Sequence, residues 1–391
     1  MDFLGIMLSV SEPSGMWESI IKWIQGGVGN YAITIILLTL LIKVVLLPLD
    51  FYQKYITKVN QKKQASIQPE LDKINARYAN NKDLLNQKTM ELYKRENYNV
   101  VGTCLGLLLN LVLTMVVFFT LFAGINKMQY YNIDKEYQTL RETYITTVVE
   151  NYDGNREDII STDAEGNETF NWSVELSDTV KQTAESAVLA KYEDIKTSFL
   201  WIKNAWIPDN WKKVIPDYNG YLKNTNQKAS SDEAVKAAEE QEYNVVMSPL
   251  MNKYEGKWNG AMLLPLLAVG VSILATIMPT WIEKARARIH GVQFTQAMPT
   301  NKTMLVIMPV IMGLFTLFYN SVFGLYIVVG ALFGLITTPL TALLTELLES
   351  KMSKKELANV TTVSYSRKRP VDITNNQPKN NKNTKNSNNK K

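Results

Sequence analysis

Cysteine and histidine are almost absent from this sequence, with one of each in 391 residues. A single cysteine excludes an intramolecular disulfide framework, and Cys104 lies in an apolar run where simple packing accounts for it. His290 has no cysteine or carboxylate cluster near it in the sequence, so the ligand spacing of a zinc site is missing. We therefore expect no metal site and no bound cofactor.

The N-terminus lacks the features of a cleaved secretory signal. Residues 3–10 are apolar, but the run is short and no Lys or Arg precedes it. No small-residue cleavage site follows it, and no early cysteine offers a lipid attachment point. We expect the N-terminal segment to be retained.

Long apolar runs are present, although the mean hydropathy is slightly negative. A helix needs roughly 20 apolar residues to cross a bilayer, and five runs approach or reach that length: 31–49, 102–125, 261–282, 304–319 and 322–344. Only Asn320 and Ser321 separate the last two, which predicts a tight helical hairpin. The predicted fold is an all-α polytopic membrane protein with a five-helix transmembrane core, a cytosolic helical hairpin and an inserted extracellular α+β segment.

Positive charge is concentrated in alternate connections between the runs. Residues 50–101 hold ten Lys and Arg, residues 283–303 hold four, and residues 345–391 hold eleven. Residues 126–260 hold fifteen Lys and Arg but twenty-three Asp and Glu, so this connection is acidic. Before the first run, Lys22 is the only basic residue. Because short basic flanks stay in the cytosol, we predict an external N-terminus and a cytosolic C-terminus.

Two connections have predicted helices. In the outer segment 1–30, an apolar stripe is typical of a helix in the membrane interface or of an ordinary packing helix; it consists of Trp17, Ile20, Ile21 and Ile24. Residues 50–101 are predicted to form a helical hairpin that reverses at 79–83. That hairpin is either a recognition element or simply a solvated one.

The outer segment, residues 126–260, is too long for a plain connection. From Phe170 to Leu176 apolar residues alternate with polar ones, which predicts a strand. Residues 178–198 and 231–243 read as helices. We predict a small α+β domain, and since no catalytic constellation is evident there, we expect no enzymatic activity.

The C-terminal segment, residues 345–391, is basic, and from about residue 359 its composition predicts disorder. Arg367, Lys368 and Arg369 precede a run of mostly Asn and Lys. The tail is a candidate ligand for an anionic partner, either ribosomal RNA or lipid headgroups. A merely solubilising tail is the alternative.

Lys43 is the only charged residue well inside any of the five runs. A cation at the centre of a span costs at least about 2.5–3.5 kcal/mol, and no Asp or Glu in the runs is available to pair with it. Snorkelling is one explanation, since the inner end of the run is about 9 Å away at helical rise. A functional cation is the other.

Further polar residues share the predicted depth of Lys43. They are Thr39 in the first run, Thr103 and Asn110 in the second, Ser272, Thr276 and Thr280 in the third, and Thr337, Thr338 and Thr341 in the fifth. Polar side chains also join helices to one another, but a shared depth favours a hydrated pocket open toward the cytosol.

A pocket of this kind would lower the free-energy cost of moving a polar segment of a client protein into the membrane. We therefore predict a protein that inserts other proteins into the bilayer. A transporter or channel with an intramembrane anion site is the alternative, although the repeats common in transporters are missing. A membrane-tethered external domain with an enzymatic or adhesive role is a third hypothesis.

Short motifs are spread in order over most of residues 30–345. They are residues 41–49, residues 67–71 with Tyr78, residues 102–105, residues 199–202 with 207–209, Met308-Pro309, and residues 323–326. Together they resemble the YidC/Oxa-type membrane protein insertase family. Residues 130–195 look like an insertion relative to that pattern.

The resemblance implies a groove that opens to the cytosol and the inner leaflet, with one groove cation that is usually arginine. Lys43 occupies that position and keeps the charge without the forked hydrogen bonding. Gly106 and Asn110 stand where the family usually has proline and glutamine, and Tyr326 joins the candidate groove residues.

The resemblance also implies partners and a location. Nascent membrane proteins are the expected clients, and the ribosome, the Sec translocon and anionic lipids are candidate partners. The expected location is the plasma membrane of a Gram-positive-like bacterium.

Overall fold

The computed structural model of the chain describes residues 3–4, 9–96, 100–162, 168–289 and 302–360. It divides into two units, residues 1–342 and 343–391, and the described part of the second unit continues the last helix. His290, Arg367, Lys368 and Arg369 lie outside the described residues.

The described chain is mostly helical, with one small sheet in the order β1-β3-β2. The elements are β1 Phe3–Leu4, α1 Met16–Val28, α2 Tyr31–Arg77, α3 Lys82–Arg95, α4 Val100–Asn151, α5 Arg156–Ile159, β2 Ile160–Thr162, β3 Glu168–Phe170, α6 Asp178–Ile195, α7 Tyr218–Thr225, α8 Glu233–Lys253, α9 Leu263–Ile289, α10 Lys302–Phe318 and α11 Ser321–Val360.

Four stretches of the described helices are long and apolar enough to cross a membrane, namely Tyr31–Ile56, Val112–Asn151, Leu263–Ile289 and Ser321–Leu348. A shorter apolar helix, Val306–Phe318, corresponds to the fourth predicted run. Large apolar side chains such as Val45, Leu266 and Ile336 are exposed on these helices, as lipid-facing residues are. The chain is therefore a polytopic helical membrane protein, and a core of five spans stays a prediction.

Two helices run well beyond their apolar stretches. Helix α2 continues through Pro48 and Pro69 to Arg77, and α3 returns beside it after a reversal capped by Asn81, whose side chain accepts the Leu84 N–H at 3.1 Å. Arg95 pairs with Glu70 across this hairpin. Helix α4 continues past residue 125 to Asn151, so the second predicted run and the start of the outer segment form one uninterrupted helix.

The continuation of α4 is the centre of the 126–260 domain, where it packs against α6, α7 and α8. Arg141 on α4 and Glu242 on α8 form an ion pair at 2.7 Å, with both side chains at most 1% exposed. Tyr137 also donates to Glu242 at 3.2 Å. Such a pair fixes how the helices fit together, because either charge left alone in the core would be costly.

The strand predicted from Phe170 to Leu176 is wrong beyond Phe170. Strand β3 covers Glu168–Phe170, pairing antiparallel with β2 and parallel with β1. Trp172, Val174 and Leu176 instead pack against the helical core as irregular chain. Apolar and polar residues alternate here because one face of the segment is buried, although no neighbouring strand among the described residues is hydrogen-bonded to it.

A network around Asp209 joins the loop after α6 to the start of α9. The buried Asp209 carboxylate accepts hydrogen bonds from the Trp201 indole at 2.9 Å, from Met262 N at 3.0 Å and from Leu264 N at 2.7 Å. Because α9 begins at Leu263, Asp209 caps a helix that is distant in sequence. The side-chain amide of Asn259 adds bonds to the carbonyls of Asn204, Ile207 and Pro208.

The same loop holds the turn between α10 and α11. Ser321, the first residue of α11, donates from its hydroxyl to the Ile207 carbonyl at 2.6 Å and from its backbone N–H at 3.2 Å. Asn210 donates to the carbonyl of Leu317 near the end of α10. One short loop therefore sets where three apolar helices begin or end.

Replacing Asp209 with alanine should lower the free energy of unfolding by about 2–5 kcal/mol, because buried donors lose a charged acceptor. The matched control is Asp232→Ala, which removes the exposed cap of α8 and should cost about 1 kcal/mol. Denaturant unfolding in detergent micelles, followed by circular dichroism, compares the two. Equal losses would show that the Asp209 network has no special role.

Candidate functional site

Lys43 lies on α2 about 18 Å along the helix axis from Tyr31 at ordinary helical rise. It lies near the middle of Tyr31–Ile56, the stretch of α2 that is long and apolar enough to cross a membrane. Its side chain is half-buried, whereas the next two residues, Val44 and Val45, are 57% and 68% exposed. Lys43 therefore points toward the other helices, and its neighbours point outward.

The stem of Lys43 runs beside α11 at Gly330. A Cβ atom on Gly330 would lie 3.4 Å from the Lys43 Cε atom, so the lysine stem is within van der Waals distance of that helix. Within the part of the chain that the structure describes, Lys43 forms no ion pair. Gly330 was not among the residues predicted from the sequence, where a glycine in an apolar run was its only signal.

A second contact between the same two helices lies farther along both. Lys54 on α2 donates from Nζ to the Thr341 hydroxyl on α11 at 3.2 Å. Lys43 and Lys54 are eleven residues apart, as are Gly330 and Thr341. Residues eleven apart lie on nearly the same face of an α-helix. Helices α2 and α11 therefore run parallel, in a register set by these two contacts.

The candidate threonines on this face bond mainly to their own helices. Thr39, one turn before Lys43, is 1% exposed and donates to the Ile35 carbonyl at 2.6 Å. Thr337 and Thr341 are also buried and donate to the carbonyls of Phe333 and Thr338, each at 3.0 Å. Their hydroxyl oxygens keep a lone pair that can accept a further bond, as Thr341 does from Lys54.

Tyr326 lies one turn before Gly330 on α11 and is half-buried. Its ring centroid is 6.0 Å from that of Phe118 on α4, and Phe118 stacks on Phe122 at the same distance. Tyr326 therefore connects the Lys43 face to an aromatic cluster on the second apolar helix.

The polar stripe on α9 is less closely connected to Lys43. Ser272, Thr276 and Thr280 are half-buried, and Thr276 donates to the Ser272 carbonyl at 2.7 Å. Among the described residues, no hydrogen bond or ion pair joins this stripe to Lys43. Thr103 and Asn110 lie on helix α4, but their side chains are outside the described part of the structure.

The helix bundle, with a lysine held inside its apolar length, defines an integral membrane protein of the all-α class. The particular family follows from sequence comparison. Residues 23–346 match the model of the 60Kd inner membrane protein family, and the chain belongs to that family.

Several curated relatives are named membrane protein insertase YidC. That of Fusobacterium nucleatum is 45% identical over 98 residues, which are 25% of this chain and 46% of the relative. That of Clostridium perfringens is 41% identical over 104 residues, 26% of this chain and 42% of the relative. The insertase of an Anaeromyxobacter species is 35% identical over 102 residues, which are 26% of this chain and 18% of the relative. The chain thus spans less than half the length of these relatives.

Paired cysteines at positions 43 and 330 should be joined by a short bifunctional thiosulfonate, because Lys43 and Gly330 are in contact. The natural cysteine is first removed by Cys104→Ser, and the full-length protein is tested in membranes. The pair 54 and 341 should also be joined. The control combines Val44→Cys with Gly330→Cys, since Val44 points outward. Equal yields for positions 43 and 44 would contradict the α2–α11 register.

Proposed function

We propose that this protein inserts newly made proteins into a bacterial plasma membrane. The observation that carries the proposal is Lys43 itself, a half-buried cation near the middle of an apolar stretch of α2. Membership of the 60Kd inner membrane protein family, and relatives named membrane protein insertase YidC, support it. Helices α2, α4, α9, α10 and α11 are the proposed five-helix core, with the N-terminus outside and the C-terminus in the cytosol.

The proposed site is a hydrated groove that opens to the cytosol and the inner leaflet. Lys43, Thr39, Thr337, Thr341 and Tyr326 contribute from α2 and α11, and the other candidates are Thr103, Asn110, Ser272, Thr276 and Thr280. Water and hydroxyl oxygens solvate the lysine, because no carboxylate in the apolar runs pairs with it.

A client approaches with a polar segment next to an apolar helix. A carboxylate in that segment would gain about 4 kcal/mol from Lys43 at about 4 Å and an effective dielectric constant of about 20. This attraction offsets part of the cost of taking the carboxylate out of water. The apolar helix then moves sideways into lipid along the exposed apolar surfaces. No covalent bond is formed or broken, so the role is not enzymatic.

The wider partners follow from the same proposal. Clients are nascent membrane proteins, and the basic tail with Arg367, Lys368 and Arg369 would hold the ribosome or anionic lipids close to the cytosolic side. The Sec translocon is a further proposed partner, which would pass the apolar helices of some clients to this protein. A transporter or channel with an anion site at Lys43 is the competing function, and it predicts ion flux in proteoliposomes.

Removing the charge of Lys43 should slow insertion of clients that carry a carboxylate in the translocated segment. We expect Lys43→Ala to lower their insertion rate about tenfold, which corresponds to about 1.4 kcal/mol, the net of the attraction after desolvation of the carboxylate. Lys43→Arg should retain insertion, because it keeps the charge. The assay is protease protection of a radiolabelled client in proteoliposomes containing the full-length protein.

Two controls accompany this measurement. Val44→Ala changes the adjacent lipid-facing residue and should leave insertion unchanged. Lys43→Ala should not lower the stability of the fold, since it removes an unpaired charge from an apolar setting. Full activity of Lys43→Ala on every client would reduce Lys43 to a snorkelling residue.

A further inference from the structure

A cavity of about 570 Å³ lies away from Lys43, where the α10–α11 turn meets the loop before α7. Its walls come from α4, the 206–217 loop, α7 and residues 318–320. This volume is in the range of pockets that bind small molecules. We call it the lysine pocket, because Lys212, Lys213 and Lys223 line it.

The lysine pocket is positively charged within an acidic segment. Residues 126–260 carry eight more acidic than basic residues, yet three lysines and a single acidic residue, Asp217, line the pocket. The Asp217 carboxylate is already used as the cap of α7 and accepts the Gly220 N–H at 2.8 Å. In the described part of the chain, the three lysines form no ion pair, so their ammonium groups are available to an anion.

The backbone that presents two of these lysines is fixed by the fold. Lys212 N donates to the Asn210 side chain at 2.9 Å, and the Lys212 carbonyl accepts from Asn259 N at 3.0 Å. Lys213 forms an antiparallel bridge with Trp258. Asn320 donates to Gln129 at the base of the pocket. Backbone contacts within the fold therefore hold Lys212 and Lys213 at the pocket.

The surroundings of the lysine pocket indicate the boundary between bilayer and water. Helix α10 ends at its rim, and Leu314 and Phe318 on that helix are 50% and 69% exposed. Trp211 and Trp258, beside the two loop lysines, are 55% and 60% exposed. Exposed aromatic residues concentrate at membrane–water boundaries. A molecule with an anionic head in the pocket and an apolar tail along α10 satisfies both surfaces.

We propose that the lysine pocket binds the phosphodiester headgroup of an anionic phospholipid whose acyl chains lie along α10. Lysine ammonium groups pair with phosphate oxygens as point charges, and the asparagine and tyrosine side chains of the pocket supply neutral partners to the rest of the headgroup. A soluble phosphodiester would make the same polar contacts but would leave α10 uncovered.

The test is native mass spectrometry of the full-length protein in detergent, titrated with phosphatidylglycerol or with phosphatidylcholine of the same acyl chains. The wild-type protein should retain phosphatidylglycerol preferentially. The combined substitution Lys212→Gln, Lys213→Gln and Lys223→Gln should weaken that binding at least about tenfold, since each lysine near a lipid surface accounts for roughly fivefold. Unfolding should be unchanged, because these side chains are exposed.

A matched variant with Lys181→Gln, Lys191→Gln and Lys228→Gln changes the net charge equally, and none of these residues lines the lysine pocket. It should bind phosphatidylglycerol like the wild type. Glycerophosphoglycerol, which lacks acyl chains, should compete only weakly. Equal binding of both lipids, equal losses in both variants, or displacement of the lipid by an acidic peptide at lower concentration would each overturn the proposal.

Discussion

A lysine at the centre of a membrane span costs at least about 2.5–3.5 kcal/mol, and Lys43 lies near the middle of the apolar stretch Tyr31–Ile56, in contact with α11. Lys43 points inward against Gly330, while its neighbours Val44 and Val45 point outward. The Lys54–Thr341 hydrogen bond repeats the contact eleven residues on. The stem of Lys43 therefore lies against α11, and a polar environment for its charge stays part of the proposed groove.

That register depends on where the helices begin. The buried carboxylate of Asp209 caps α9, and the Ile207 carbonyl two residues earlier receives both bonds from Ser321 at the start of α11. A loop of the 126–260 domain therefore fixes two membrane helices at one end. Since the continuation of α4 is also the core of that domain, the membrane helices and the 126–260 domain form one packed structure.

Hydropathy was enough to predict the apolar helices, and turn-forming residues predicted the reversal near residue 80. The role of Lys43 stays a prediction. The continuous helix α4 was missed because the apolar run ends at residue 125 while helix-forming residues continue. The prediction of a strand beyond Phe170 was wrong. Alternating apolar and polar residues indicate that one face of the segment is buried, but they do not show that another strand lies beside it. The Lys43–Gly330 contact and the Lys54–Thr341 hydrogen bond join residues that are far apart in the sequence. The apolar periodicity of a single segment cannot predict such contacts. The α9 stripe shares the predicted depth of Lys43, but depth alone does not bring side chains together.

The central claim is that a client passes beside Lys43 on the inward face of α2. The most direct measurement places a photo-cross-linking residue at position 43 or position 44 of the full-length protein and supplies ribosome-bound nascent chains of a small membrane protein. The two positions are adjacent in depth but face opposite surroundings. Passage through a groove predicts adducts from position 43 and few from position 44. Equal adducts from both positions, or adducts from position 44 alone, would contradict it.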